Sequence, residues 1–296
     1  MPSQQGRSAV ITGTGGLGLE DALELARTGG EVIIAGRNPL KGAEAVARIR
    51  SEVPSAKVQF EQVDLASLES IAAFAARLKG QRESLDLLIN NAAVMTPPDR
   101  QATEDGFELQ FGTNYLGHFA LSAHLMPLLR KGTNARVVTL SSVAARGGAI
   151  DFDDLNATRS YRPARAYGQS KLACLLFAFE LQRRSEANRW GVSSIAAHPG
   201  ISRTDLLHNA PGRWSAAGLA RTLLWFLFQP AAQGALPTLF AATSPDAKAG
   251  AYYGPDKLSE TRGFPALAKV PSPAEDRLIA NRLWRVSEEL TQLAFQ

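Results

Sequence analysis

The 296-residue chain predicts a doubly wound α/β fold: one parallel sheet in a three-layer α/β/α arrangement, formed by a single domain. Three observations predict it. Short Val- and Ile-rich runs alternate with helix-period stretches through the first two thirds of the chain, which is the rhythm of βαβ units. The early runs are apolar at consecutive positions, as strands covered by helices on both faces must be. A glycine cluster, Gly13-Thr14-Gly15-Gly16-Leu17-Gly18, joins the first run to the first helical stretch, where sheets of this kind take up ligands.

Taken in order, Ser8–Thr12 reads as a strand followed by a helix at Leu17–Arg27, and Glu31–Ala35 is followed by Pro39–Ser51. Lys57–Val63 precedes a helix at Ser67–Lys79. Leu85–Ile89 leads into a helical pattern that reaches Lys131, its helix beginning near Thr113. Arg136–Leu140 and Val192–Ala197 are two further strands, separated by an irregular stretch and the helix Ala164–Trp190. After His198 the alternation fails, and residues 199–230 mix prolines and glycines with the apolar run Leu219–Phe228. That run has ten residues, about half of what a membrane span needs, so no span is expected. Ala231–Thr243 reads as a helix, Ala251–Tyr253 as a short strand, Gly254–Val270 as a turn-rich tail and Ala274–Phe295 as a terminal helix. Residues 254–296 thus extend the domain.

Composition narrows the function classes. With 32 Lys and Arg against 28 Asp and Glu the net charge is only +4, so nucleic acid is not an expected partner. Hydrophobic residues at 45% and charged residues at 20% provide a large core and exclude disorder as the main state. The single cysteine, Cys174, excludes an intrachain disulfide and a cysteine-based zinc cluster, and no spacing of His, Asp and Glu points to a metal. Met1–Arg7 is polar and has no apolar signal core, so a cytoplasmic protein is expected.

Glycines in the first loop let the backbone turn tightly and approach a pyrophosphate, whose charge the N-terminus of the following helix stabilises. The second strand ends at Ala35-Gly36-Arg37-Asn38, about 20 residues on, where an acidic residue would bind the ribose 2′-hydroxyl of NAD. Arg37 stands there instead. A guanidinium forks onto a 2′-phosphate, so the position points to NADP, against the plainer reading of a solvated arginine at a strand end. Asp64 either accepts from an adenine amino group or caps the helix beginning near Ser67. Asn90 and Asn91 end the fourth strand, at the same sheet edge.

Tyr167-Gly168-Gln169-Ser170-Lys171 places a phenol and an ammonium at i and i+4 on one helix face. A nearby cation favours phenolate, so such a pair can donate a proton to a carbonyl undergoing reduction. Ser141-Ser142, at the end of a predicted parallel strand, offers a hydroxyl to the substrate oxygen, and Asn114 lies inside the helix beginning near Thr113.

These residues resemble the short-chain dehydrogenase/reductase superfamily over roughly residues 8–243: the glycine loop, Asp64, Asn90-Asn91-Ala92-Ala93, Asn114, Ser142, Tyr167 with Lys171, and His198-Pro199-Gly200 stand in that family's order. The stretches 111–119, 166–173 and 197–200, with the 25-residue spacing from Ser142 to Tyr167, are similar to the retinol dehydrogenase and protochlorophyllide reductase-like branch. The resemblance implies a Rossmann fold and an NADP(H)-dependent oxidoreductase acting on a small lipophilic ketone, aldehyde or secondary alcohol. It makes Tyr167 the general acid/base, assigns Lys171 to favouring the phenolate and to the nicotinamide ribose, has Ser142 orient the carbonyl, and gives Asn114 a relay water. It places Gly13, Gly15, Gly16, Leu17, Gly18, Asp64, Leu65, Asn91, Ala92, Ala93, Pro199, Gly200, Ile201 and Thr204 around the cofactor. A homodimer through the helices near 113–131 and 164–190 is a further implication. Trp214, Leu219, Trp225, Phe226 and Phe228 read as an apolar lid over the substrate or as ordinary core or interface residues.

Two departures stand out. Thr12-Gly13 is followed by two residues before Gly16 where the family has three, and Ala93 replaces a usual glycine. Reduction of a C=C bond and binding of NADP without turnover are the alternatives to carbonyl chemistry.

Overall fold

The computed structural model describes residues 1–202 and 229–295. Seven strands run parallel: β1 (Ser8–Thr12), β2 (Glu31–Gly36), β3 (Val58–Gln62), β4 (Leu87–Asn90), β5 (Arg136–Leu140), β6 (Ser193–Ala197) and β7 (Tyr252–Lys257). An eighth, β8 (Arg262–Leu267), pairs antiparallel with β7 at the edge. The order is β3-β2-β1-β4-β5-β6-β7-β8, so the chain winds outward in both directions from the β1/β4 pair. Helices α1 (Gly16–Arg27), α2 (Pro39–Glu52), α3 (Leu68–Gln81), α4 (Leu109–Phe111), α5 (Gly117–Leu129), α6 (Pro163–Asn188), α7 (Ala231–Thr243), α8 (Ser272–Glu275) and α9 (Arg277–Thr291), with a π turn at Gly112–Leu116 and a 3₁₀ turn at Val143–Gly147, complete the described elements.

Burial on both sheet faces follows from the period of two along each strand. Val10, Ile33, Leu88 and Val137 point into a core shared with α3, α5, α6 and α9, while Ile11, Ile34, Ile89 and Val138 point into one shared with α1, α2 and α7. Side-chain caps set several helix starts. Asn38 accepts from the Leu40 and Lys41 amides ahead of α2, Ser67 from the Ser70 amide ahead of α3, and Asp276 from the Leu278 and Ile279 amides ahead of α9.

Three expected elements differ. The helix expected to begin near Thr113 and reach Lys131 begins at Leu109 and ends at Leu129, after residues 91–108 cross the sheet edge and an Ala102–Glu108 bridge folds them back. A π turn at Gly112–Leu116 then offsets Asn114 before α5 begins. The tail at 254–270 is no turn-rich coil but the β7–β8 hairpin, in which Pro255 faces Pro265; a proline is tolerated in β8 because that strand is the sheet edge. The terminal helix is interrupted at Asp276, whose extended backbone separates α8 from α9.

The C-terminal extension closes one face of the molecule. Trp284 packs its ring on Phe119 of α5 (5.1 Å) and Phe177 of α6 (5.8 Å), Phe295 stacks on Trp190, and the Arg184 guanidinium lies 4.4 Å from the Trp284 ring. Tyr115 and Ser287 share a hydrogen bond of 2.6 Å beneath this layer. The α5 and α6 faces expected at a dimer interface are thus covered at these points by the chain's own α9. Among the described residues no helix is long and apolar enough to cross a membrane.

Two buried groups tie stability to pH. His118 on α5 donates from Nδ1 to the Asn114 carbonyl (2.9 Å) and accepts at Nε2 from the Thr12 hydroxyl (2.9 Å); burial lowers its pKa to about 4. Because the unfolded imidazole takes its proton first, stability present above about pH 6.5 is lost as the pH falls to about 4, by on the order of 3 kcal/mol. Urea unfolding at pH 7.5 and pH 4.5 measures the loss, and His118→Gln should remove this share of it. Asp21 on α1 is fully buried, neither carboxyl oxygen has a partner, and burial pushes its pKa well above the usual carboxylate range. The unfolded chain therefore ionises first as the pH rises, so the native carboxyl costs stability at neutral pH. Asp21→Asn should stabilise the fold by about 1–3 kcal/mol, with thermal melts showing a larger gain at pH 8 than at pH 5.

Candidate active site

The crevice lies over the β1/β4 switch point, where α1 and the segment after β4 leave the sheet in opposite directions. Gly13 (φ +103°) and Gly16 (φ +53°) turn the chain from β1 into α1 in left-handed conformations that favour glycine. Gly15 caps α1 without a side-chain bond, and the first turn carries no acidic residue, so its amides are free for an anion. Glycine is also required at Gly18, where a Cβ would come within 2.8 Å of the Gly13 carbonyl oxygen and 2.6 Å of Asn91 Nδ2. Shortened by one residue, the loop therefore keeps an open backbone cradle that fits a pyrophosphate.

Thr12 holds the two sides of this crevice together. Its hydroxyl accepts from the Asn91 amide (2.9 Å) and the Ala92 amide (3.0 Å) while donating to His118, and its carbonyl accepts from Asn91 Nδ2 (2.7 Å). Sequence reasoning did not single out Thr12 or this role of His118. The only sequence signal was Thr12's place at the strand end.

Three adjoining cavities line the edge. The first, about 480 Å³, is bounded by Gly13–Leu17, Asn91–Ala93 and the α2 residues Lys41, Glu44 and Arg48. The second, about 270 Å³, is bounded by Arg37, Asn38, Lys41, Asp64, Leu65 and Thr113 among others. The third, about 260 Å³, is lined by Leu17, Met95, Ser141, Ser142, Tyr167, Lys171 and Pro199–Ser202. Ala93 borders all three, and Gly13, Ala92 and Lys41 border the first two. The cavities are parts of one groove.

Ser142, Tyr167 and Lys171 meet in the third cavity with Pro199, Gly200 and Ile201. The Lys171 ammonium donates to the Leu140 carbonyl (3.1 Å) and lies 6.0 Å from the centre of the Tyr167 ring. The Ser141 hydroxyl is spent on the Lys171 carbonyl (2.8 Å), whereas Ser142 only accepts from the Ala144 amide (3.2 Å), leaving its proton for another partner. Asn114 is not on the cavity wall. Both its amide hydrogens are spent, on the Val94 carbonyl (2.9 Å) and Ser170 Oγ (3.0 Å), and its Oδ1 accepts from the Val94 amide (2.7 Å). Its side chain thus anchors the segment after β4 to the helix that carries Tyr167.

Asp64 caps its own turn, accepting from the Ala66 amide (2.9 Å), and borders the Arg37 cavity as well. Lys41 and Met95 join the lining without having been expected from sequence; Lys41 sits four residues beyond Arg37, in the first turn of α2. Thr204 and the aromatic run of the expected lid lie outside the described residues. Cys174 is buried, donates to the Asn114 carbonyl (3.2 Å), and has its pKa raised by burial, all consistent with an inert thiol.

Comparison with known proteins places this geometry. The short chain dehydrogenase family pattern matches residues 7–213. Retinol dehydrogenase 13 of Mus musculus is 41% identical over 98% of this chain and 85% of its own length, and polyprenol dehydrogenase of Mus musculus is 39% identical over the same shares. A crystal structure of an uncharacterized protein from Mycobacterium paratuberculosis superposes with a TM-score of 0.82 at 38% identity, covering 100% of this chain and 97% of that one. The chain belongs to the short-chain dehydrogenase family of oxidoreductases, in its retinol dehydrogenase-like branch.

Proposed function

We propose that the protein is an NADP(H)-dependent dehydrogenase/reductase of lipophilic carbonyl compounds and their alcohols, with Tyr167 as its general acid/base. The observation that carries this reading is the convergence of Ser142, Tyr167 and Lys171 in a cavity continuous with the glycine-loop groove. The names of the similar proteins, retinol and polyprenol dehydrogenases, support a lipophilic substrate class. So does the wall, where Leu17, Met95, Val143 and Ile201 are apolar.

When bound, the dinucleotide supplies or accepts the hydride. The chain's residues manage the rest. Backbone amides of the Gly13–Leu17 loop and the N-terminus of α1 would hold the diphosphate. Arg37 and Lys41, on the walls of the second cavity, would hold a 2′-phosphate there, a group that a guanidinium suits better than it suits a bare hydroxyl. Ser142 donates to the substrate oxygen and orients it toward Tyr167. The phenol gives its proton to that oxygen in reduction and takes it back in oxidation, while the Lys171 ammonium favours the phenolate. Asn114 keeps the Val94 segment and the Tyr167 helix in register through its Val94 and Ser170 bonds.

Two experiments test the reading. Tyr167→Phe should lower kcat by about 100-fold or more for any carbonyl the enzyme reduces, with NADPH affinity within threefold of wild type. Steady-state assays with a panel of hydrophobic aldehydes and ketones, beginning with all-trans-retinal, measure it; full activity in this variant would remove Tyr167 from the chemistry. Arg37→Glu should weaken NADPH binding by about 10–100-fold and leave NADH binding equal or stronger, as fluorescence titrations with both cofactors will show.

A further inference from the structure

The third cavity has two walls that come from distant parts of the chain. One is Ser142 with the short 3₁₀ turn Val143–Gly147, and the other is Pro199–Gly200–Ile201 after β6. The β5–β6 pairing ends at Leu140–Ala197 with one further bond from the Ser141 amide to the Ala197 carbonyl (2.8 Å), so among the described residues no strand pairing joins Ser142 and its turn to Pro199–Ile201. The tip of the β7–β8 hairpin reaches across instead.

Glu260 stands at that tip and holds both sides. Its Oε2 accepts from Arg146 of the 3₁₀ turn (2.6 Å) and from His198 Nε2 (3.0 Å), and its Oε1 accepts from the Lys269 amide (2.8 Å). Arg146 also donates to the Ser259 carbonyl (3.1 Å). On the far side of the imidazole, Nδ1 accepts from the Gly200 amide (3.2 Å), and the Ile201 amide donates to the Thr261 carbonyl (2.8 Å). Both ring nitrogens of His198 are therefore satisfied by one neutral tautomer, with the proton on Nε2 facing the carboxylate. Burial lowers the His198 pKa to about 4 against the opposing pull of Glu260, in keeping with that form.

The fit is close on every side. A Cβ at Gly200 (φ +62°) would come within 2.4 Å of the Thr261 carbonyl oxygen, and one at Gly254 within 1.9 Å of His198 Nε2. The tip bends through three consecutive non-glycine residues at positive φ, Leu258 (+49°), Ser259 (+56°) and Glu260 (+66°). Such conformations persist only where surrounding contacts hold them, and here those contacts lead to the two walls of the cavity.

We propose that Glu260 is a positioning residue of the reaction: through Arg146 on one side and His198 on the other, it sets the distance between the Ser142 wall and the Pro199–Ile201 wall of the catalytic cavity. This role rests on the carbonyl chemistry proposed above, because the carboxylate does not line the cavity and acts only through the groups it holds. A displacement of about 1 Å between groups that must meet in one transition state can cost about 100-fold in rate.

Glu260→Ala, Glu260→Gln and Arg146→Met test it by two independent readouts. With NADPH and all-trans-retinal, Glu260→Ala should lose about tenfold or more in kcat with NADPH affinity within threefold, and Glu260→Gln, whose amide oxygen can still accept from Arg146 and His198 without the charge, should lose less. In the cofactor-free protein, hydrogen exchange at the Gly200 and Ile201 amides should speed up by about tenfold or more in Glu260→Ala and Arg146→Met, with the amides of β1 and α1 unchanged. Unchanged kcat in a folded Glu260→Ala protein, or unchanged exchange at Gly200 and Ile201, overturns the proposal. Exchange that speeds up equally across the whole sheet also overturns it, since Glu260 would then be only a staple of the fold. Should Glu260→Ala not fold, Glu260→Gln and Arg146→Met carry the same comparisons. If the wild-type protein turns over no carbonyl of the panel, the functional reading fails on its own, and the cofactor-free exchange still decides whether Glu260 ties the two walls together.

Discussion

The parallel pairing of β1 with both β2 and β4 is the constraint on which the rest of the structure depends. Because the chain leaves the two neighbouring strands in opposite directions, the backbone parts at their carboxyl ends and a groove opens there. Its width is set by a small polar knot. The Thr12 hydroxyl takes two amides from the segment after β4 and gives its own proton to His118, which is anchored in turn on the Asn114 carbonyl. Every cavity along the sheet edge borders residues that this knot positions.

The reactive groups lie further along the same edge and come from different depths of the chain. Ser142 follows β5, Tyr167 and Lys171 belong to the first half of α6, and Pro199–Ile201 follow β6. α6 is buried at almost every position of its central turns, so its polar residues must find partners inside the protein. Lys171 finds the Leu140 carbonyl, Ser170 finds Asn114 and the Tyr167 carbonyl, and Gln169 finds the Asp151 amide and the Leu155 carbonyl. These bonds fix the rotation of the helix about its axis. Tyr167 then lines the same cavity as Ser142.

The C-terminal extension does two separate jobs. α9 lays Trp284 against Phe119 and Phe177, so the outer faces of α5 and α6 are covered by aromatic packing within one chain. The β7–β8 hairpin lies at the opposite end of the extension's path and contributes charge instead of apolar bulk: Glu260 meets Arg146 and His198 beside the catalytic cavity. Both parts follow the last helix of the alternating pattern, where the sequence itself no longer repeats.

Local chemistry made much of this legible in the residues alone. The Val and Ile runs of β1, β2, β4 and β5, the glycines before α1 and the i, i+4 spacing of Tyr167 and Lys171 are local signals, and each element they announced is present. The hairpin was not legible, because Pro255 and Pro265 read as breakers until the tertiary structure puts β8 at an edge with no further neighbour to bond. Nor was the π turn at Asn114, whose one-residue offset depends on Val94 and Ser170, 20 and 56 positions away. By itself, then, the sequence determined the parallel sheet, the order of its winding elements and the identity of the groups available for chemistry, since periodicity and glycine placement act over a few residues. Only the tertiary structure decided that Ser141 is spent while Ser142 keeps its proton, that His118 supports Thr12, and that Glu260 spans the two walls. Those outcomes rest on hydrogen bonds between residues far apart in the chain, and such partners are chosen by packing and not by spacing.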